Sequence, residues 1–289
     1  MDFYLSAILQ ALCFSGLALG IFISMKIFNI PDITTDGTFT LGGAVSAVML
    51  VNDIPAFLAL PAVMLAGALA GSITGFIHTK LNINPLLAGI LVMTALYSIN
   101  LSIMGRSNIP LLSFSTVFNI LPIVQNPNYN AFIILVLFAG IAVSIIRYLL
   151  KTDFGLAMRA TGSSETMIRA LGVNTNRMKI IGLALANTLT ATSGYLITQF
   201  QGFADINMGI GIVIVGLGSV IIGESLILWL KVTSLLKVLL LVIFGAIVFQ
   251  IVLAFSLSMG IDPSLLKLVT AVFVLLIVSL PRLFSFRLL

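Results

Sequence analysis

The chain has 289 residues, of which 60% are hydrophobic and 8% charged, with a mean hydropathy of +1.22. Soluble domains carry about a quarter charged residues, so this composition excludes a soluble fold and defines an integral membrane protein. The net charge of +5 is spread over loop ends rather than gathered on one recognition face, which argues against a nucleic-acid partner and for anionic lipid headgroups.

The expected fold is all-α and polytopic, a single transmembrane domain over residues 1–289. The start, Met-Asp-Phe-Tyr, lacks a basic leader and a small-residue cleavage site, so the first apolar run is expected to stay in the mature protein. Runs bounded by polar or proline-containing breaks predict nine segments: Leu5–Phe28, Thr38–Val51, Ile54–Ile77, Ile83–Met104, Asn130–Leu149, Ile180–Thr198, Met208–Leu228, Leu235–Phe255 and Ser264–Leu280. Thr38–Val51 is too short for an ordinary span and is expected to be a half-helix buried by its neighbours. Cys13, the single cysteine, lies in the first run and reads as a small packing residue.

Gly67, Gly71 and Gly75 recur every four residues and so share one helix face, which predicts close packing within the subunit, with dimerisation as the alternative. His78, beside Lys80, reads as interfacial. The loop from Gly105 to Tyr129, with Pro110, Pro122 and Pro127, is expected outside. With alternating spans, Lys26, Lys80, Arg147, Lys151, Arg159, Arg169, Arg177, Lys179, Lys231, Lys237, Arg282 and Arg287 fall on one side and Arg106 and Lys267 on the other. The positive-inside rule then predicts an outside N-terminus and a cytoplasmic C-terminus.

Two stretches look like counterparts. Asp36 opens DGTFTLGGAVSAVML and Asp205 opens DINMGIGIVIVGLGSV; each is an acidic residue followed by a glycine-broken apolar segment, and the two run in opposite directions. An inverted repeat is expected, covering 36–104 and 205–280, with a pathway near the bilayer midplane. Its candidate lining is Thr38, Thr40, Gly42, Tyr97, Asn100, Asn187, Thr190, Gln199, Gly216 and Gln250. The polar members have an alternative reading as interhelical hydrogen bonds. Asp32 and Asp36 are expected to cap or pair at a short inner connection, Asp205 to start a helix, and Glu224 to sit near Lys231 at the inner interface.

Between Arg147 and Lys179 lie six of the fourteen Lys and Arg residues. Within this loop, Ser164 to Leu171 predicts a short helix, with Ser163 or Ser164 as N-cap, Glu165 beside the positive helix end, and Gly172 left-handed after the last turn. Met167, Ile168, Ala170 and Leu171 form an apolar patch that suits a partner's groove or, alternatively, a membrane surface.

The stretch FGLAMRATGSSETMIRALGVNTNRMK resembles the cytoplasmic loop of permeases of binding-protein-dependent ABC importers, in the branched-chain amino acid and ribose branch; the matching positions are Gly155, Arg159, Ala160, Gly162, Gly172, Asn174 and Arg177. The resemblance implies that residues 150–179 are a coupling loop whose Gly162, Ser164, Glu165, Met167, Ile168, Arg169, Leu171 and Gly172 meet an ATPase subunit. It further implies ATP and Mg on that partner and none here, an extracytoplasmic substrate-binding protein, a second permease copy, and a bacterial inner membrane. TTDGTFTLGGAVSA most resembles permeases grouped with aromatic amino acid uptake systems.

The sequence contains no G-x-x-x-x-G-K-[ST] phosphate loop and no Cys/His/carboxylate cluster with metal-ligand spacing, so an enzyme is not expected. The rival readings are an ion-coupled secondary transporter and a passive channel. Proton coupling is disfavoured by spans nearly free of ionisable groups, whereas sodium coupling needs only carbonyl and hydroxyl oxygens.

Overall fold

The computed structural model describes residues 2–120, 124–262 and 265–285; Pro122, Ser264 and Arg287, named above, lie outside them. The first span is broken. Helices α1 (Asp2–Cys13) and α2 (Ser15–Ile21), the latter continued by a π-helical turn (Phe22–Ile27), meet at a bend of 42°. Beside that bend the Leu17 N–H donates to Ser193 Oγ at 2.7 Å, a tertiary bond to another helix. After a short extended stretch come α3 (Thr34–Val51), α4 (Ala56–Lys80) and α5 (Pro85–Met104).

A connecting region holds β1 (Asn108–Pro110) and α6 (Val117–Ile120), then α7 (Pro127–Lys151), α8 (Asp153–Ser163) and α9 (Glu165–Ala170). Helix α10 (Thr175–Gln201) leads to β2 (Phe203–Asp205), followed by α11 (Ile212–Trp229), α12 (Leu235–Ser258) and α13 (Leu266–Ser285). Local chemistry sets several of these limits. Asn84, Asn126 and Asn174 each accept a backbone N–H at a helix start, and Pro85 and Pro127 follow two of them. Gly202 ends α10 at φ 77°, a left-handed conformation that a side chain would strain.

Among the described residues, six helices are long and apolar enough to cross a membrane, and seven if the bent pair counts as one span. The short second segment of the sequence is α3, extended to 18 residues but interrupted by Asp36, four threonines and three glycines. The last is α13, whose apolar run is Leu266–Ile277.

Helix α10 is the central post, packed against α2, α3 and α4. Tyr195, 1% exposed, donates from its hydroxyl to the Ala56 carbonyl at 2.9 Å. The Gly67, Gly71 and Gly75 face turns inward: a Cβ on Gly67 would lie 2.7 Å from the Asn187 carbonyl, one on Gly71 would strike the Leu183 carbonyl, and one on Gly75 would lie 2.7 Å from Ile180 Cα. Close packing inside the subunit is therefore what these glycines permit.

One end of the bundle carries α8, α9 and the start of α10. The opposite end carries β1 and β2, antiparallel with Asn108 opposite Asp205. These short strands were not legible in the apolar pattern. We call the two the basic end and the sheet end.

Candidate translocation and coupling sites

Two helices begin inside the bundle. Asn187 is near the middle of α10, and it binds the start of α3: its Nδ2 donates to Asp32 Oδ2 at 2.7 Å, and its Oδ1 accepts from the Thr38 hydroxyl at 2.7 Å. Asp32 Oδ1 also accepts the Thr34 N–H at 2.9 Å, capping α3, while Thr34 Oγ1 lies 2.8 Å from Thr74 Oγ1. From there α3 climbs beside α10 toward the sheet end. Residues 206–211 turn back into the bundle, so that Gly209 lies against the Asp36 carbonyl and α11 starts beside the first turn of α3.

Asp36 joins the two starts. Its Oδ2 accepts the Gly211 N–H at 2.8 Å and its Oδ1 the Val213 N–H at 2.9 Å, so one carboxylate satisfies donors that a helix start leaves without intrahelical partners. Capping was expected of Asp32 and Asp36, but Asp36 caps a helix 175 residues away. One expectation needs correction. Asp205 starts no helix: it lies in β2, and its Oδ1 accepts the Asn207 N–H at 2.8 Å, seven residues before α11 begins. Glu224, expected at the inner interface near Lys231, forms an ion pair with Lys26 that ties α11 to the π-turn. His78 Nδ1 lies 2.9 Å from the Ile83 carbonyl.

Most of the candidate lining gathers along α3. Thr38 is bonded to Asn187. The Thr40 hydroxyl donates to the Asp36 carbonyl at 3.2 Å, and Asn100 Nδ2 donates to the Gly37 carbonyl at 3.1 Å. Asn100 Oδ1 is buried and has no partner among the described residues. Gln199 accepts the Val117 N–H at 2.8 Å and lies 3.4 Å from Ser46 Oγ, which seats the connecting region on α10. Thr190 donates to the Ala186 carbonyl. Gly42 meets the Ala191 carbonyl of α10, and Gly216 faces Leu17 and Ile21, so both are positions of close helix contact. Tyr97, 46% exposed, lies on the outer surface of the subunit, apart from the others. Gln250 lies elsewhere again, in the wall of a cavity between α1, α10, α11, α12 and the start of α13.

At the basic end, α9 is displayed and spans the six residues Glu165–Ala170, inside the expected Ser164 to Leu171. Ser164 is its N-cap residue without a side-chain bond, and Gly172 follows at φ 86°, left-handed as expected. Met167 is 64% exposed and Leu171 69%; Ile168 is half-buried. Glu165 does more than face a helix dipole. It accepts from Lys179 Nζ at 2.6 Å, from Arg169 Nη2 at 2.8 Å and from the Thr175 hydroxyl at 3.1 Å, fastening α9 to the start of α10. The Lys179 hydrogen bond, above all, holds the Glu165 carboxyl below its ordinary range. Gly162 packs against the Ile27 carbonyl, and Asn29 Nδ2 donates to the Gly162 carbonyl at 3.1 Å, so α8 is held on the end of the broken first span.

An apolar bundle that keeps its polar bonds along an internal seam, and starts two helices within its depth, is the architecture of a multi-pass membrane permease. The chain belongs to the family described as branched-chain amino acid transport system / permease component, which matches residues 3–279. It is thus the permease component of an ABC import system, a transporter part whose ATPase is a separate subunit. It is 39% identical over 275 residues, 95% of this chain and 90% of the relative, to a tyrosine transport system permease protein of Clostridioides difficile. An uncharacterized protein of Rickettsia prowazekii is 37% identical over 94% of this chain and 95% of its own length. The ribose import permease protein RbsC of Haemophilus influenzae is 25% identical over 67% of this chain and 60% of its own. No solved structure matches the chain.

Proposed function

We propose that this permease carries an amino acid, of the aromatic class, across the bacterial inner membrane by alternating access. ATP and Mg act on a separate ATPase subunit. The 39% identity to a tyrosine permease over 95% of the chain supports the solute class. The displayed apolar face of α9, Met167 and Leu171 on a helix fastened through Glu165, carries the coupling reading. Such a patch beside water is stable when a partner's groove covers it. The ATPase would grip the residues 150–179 loop there, and because Gly162 and Asn29 join this loop to the π-turn, closure of the partner would move the broken first span.

The starts of α3 and α11, joined by Asp36, are the natural centre of an inverted repeat over 36–104 and 205–280 in one domain. In this reading α3 and α13 complete nine membrane segments with the N-terminus outside. A second permease copy and an extracytoplasmic binding protein complete the importer. An ion-coupled secondary transporter or a channel would need no ATPase grip.

Met167→Asp and Leu171→Asp separate these readings. Each would place a carboxylate in a desolvated contact at a cost of several kcal/mol. Copurification with the ATPase is expected to disappear while insertion and folding persist. Retained copurification together with solute-stimulated ATP hydrolysis in both variants refutes the docking assignment.

A further inference from the structure

The cavity beside Gln250 lies in one subunit, between α1, α10, α11, α12 and the start of α13, and Asn187 is not part of its lining. Its volume is about 320 Å³, near the lower end of the range for small-molecule pockets, and it is partly open. It reaches from Leu257 and Leu266, where α12 and α13 are joined at the sheet end, inward to Ile212 at the buried start of α11. Phe3, Phe14 and Phe200 supply aromatic wall, and no charged side chain contributes to the lining.

Its polar groups are set apart from that wall. Gln250 is only 6% exposed, and its carboxamide has no hydrogen-bond partner among the described residues, yet it lines the cavity. Gln10 presents a second carboxamide to the same space. The Gln250 amide opens onto the cavity, and in an apolar bundle an occupant that hydrogen-bonds it is favoured over one that leaves it bare. A lipid chain would leave both amides unmatched. A full charge would enter without a counter-ion. The chemistry that remains is an aromatic ring bearing one neutral polar group, with any charged end left at the open mouth. The phenylalanine rings favour edge or offset contact with such a ring.

We propose that this cavity is a subsite for the aromatic side chain of the imported amino acid, with the Gln250 carboxamide bonding its polar substituent. This rests on the aromatic amino acid reading above and adds to it a place within a single subunit, entered from the sheet end. Gln250 would act as a specificity residue, favouring a hydroxylated ring over a plain one, because a site that hydrogen-bonds a hydroxyl discriminates against the ligand lacking it.

The test uses the full importer, permease with ATPase and external receptor, in proteoliposomes. Leu253→Cys places a thiol in the cavity wall, and Cys13, the single native cysteine, is fully buried and stays silent. Saturating tyrosine is expected to slow N-ethylmaleimide labelling of that thiol about tenfold, and leucine to leave it unchanged. Gln250→Met keeps the side-chain length and removes the amide. With the same receptor, it is expected to lower the ratio of tyrosine to phenylalanine uptake about tenfold while receptor-stimulated ATP hydrolysis continues. Wild-type uptake of tyrosine with neither protection nor a changed ratio overturns the subsite and leaves the import reading standing. Labelling blocked by the lipid bilayer whether or not tyrosine is present also overturns it. Failure of the wild-type importer to take up any aromatic amino acid overturns both.

Discussion

Glu165 shows how a single side chain governs the displayed helix. It is one-third exposed, so its pairs with Lys179 and Arg169 stabilise only modestly, about 1 kcal/mol or less. Its carboxyl is held below the ordinary range, chiefly by the Lys179 hydrogen bond. A depressed folded-state value means that the contribution is fully present above the unfolded value of about 4.3 and is lost as pH falls through the folded one. Hydrogen exchange of the α9 amides should therefore be unaffected by this group between pH 7 and pH 5, and Glu165→Gln at pH 7 should quicken it by no more than about fivefold. A larger effect at neutral pH, or loosening that begins near pH 6, contradicts this account. The short helix, its Ser164 start and the left-handed Gly172 were readable from local chemistry. The partners of Glu165, Glu224 and Asp36 were not, because a carboxylate's choice among distant donors is made by the packing of helices and leaves no mark in neighbouring residues.

At the scale of elements, the bundle is built by letting helices approach where glycine removes a side chain. Gly71 of α4 lies against the Leu183 carbonyl of α10, whereas Gly140 of α7 faces open space. Gly71→Leu has no room and should abolish the monodisperse folded protein on size exclusion. Gly140→Ala meets nothing and should be neutral or stabilise by up to about 1 kcal/mol, since glycine inside a helix is entropically costly. Equal behaviour of the two variants would remove α4–α10 contact as the organising interface. The period of four made this face legible, although not its partner helix. Segment limits were less legible. The Met208 stretch reads as the start of a glycine-broken apolar segment, yet its helix waits until Ile212, because residues 206–211 are spent turning back into the bundle. The three-residue strands, one of them ending in Pro110, carry too short a pattern to be seen.

For the whole molecule, charge and architecture agree on one axis. The basic loop with α8 and α9 lies at one end of α10, with Lys26 and Glu224 joining the π-turn to α11 on the same side of the Asn187 seam. The paired strands and the connecting region lie at the other. Lys and Arg are retained on the cytoplasmic side of membranes, so the basic end is expected to face the cytoplasm, with the N-terminus outside. Ser163 at the end of α8 and Asn126 at the start of α7 are both exposed and mark the two ends. Buried Cys13 contributes no background. In intact cells, an impermeant thiol reagent should label Asn126→Cys and leave Ser163→Cys unlabelled; in inverted membrane vesicles the pattern should exchange. Labelling of both from one side would mean that α7 does not cross the membrane. The reverse pattern would place α9 outside, where no ATPase could reach Met167 or Leu171, and would remove the coupling assignment along with the topology.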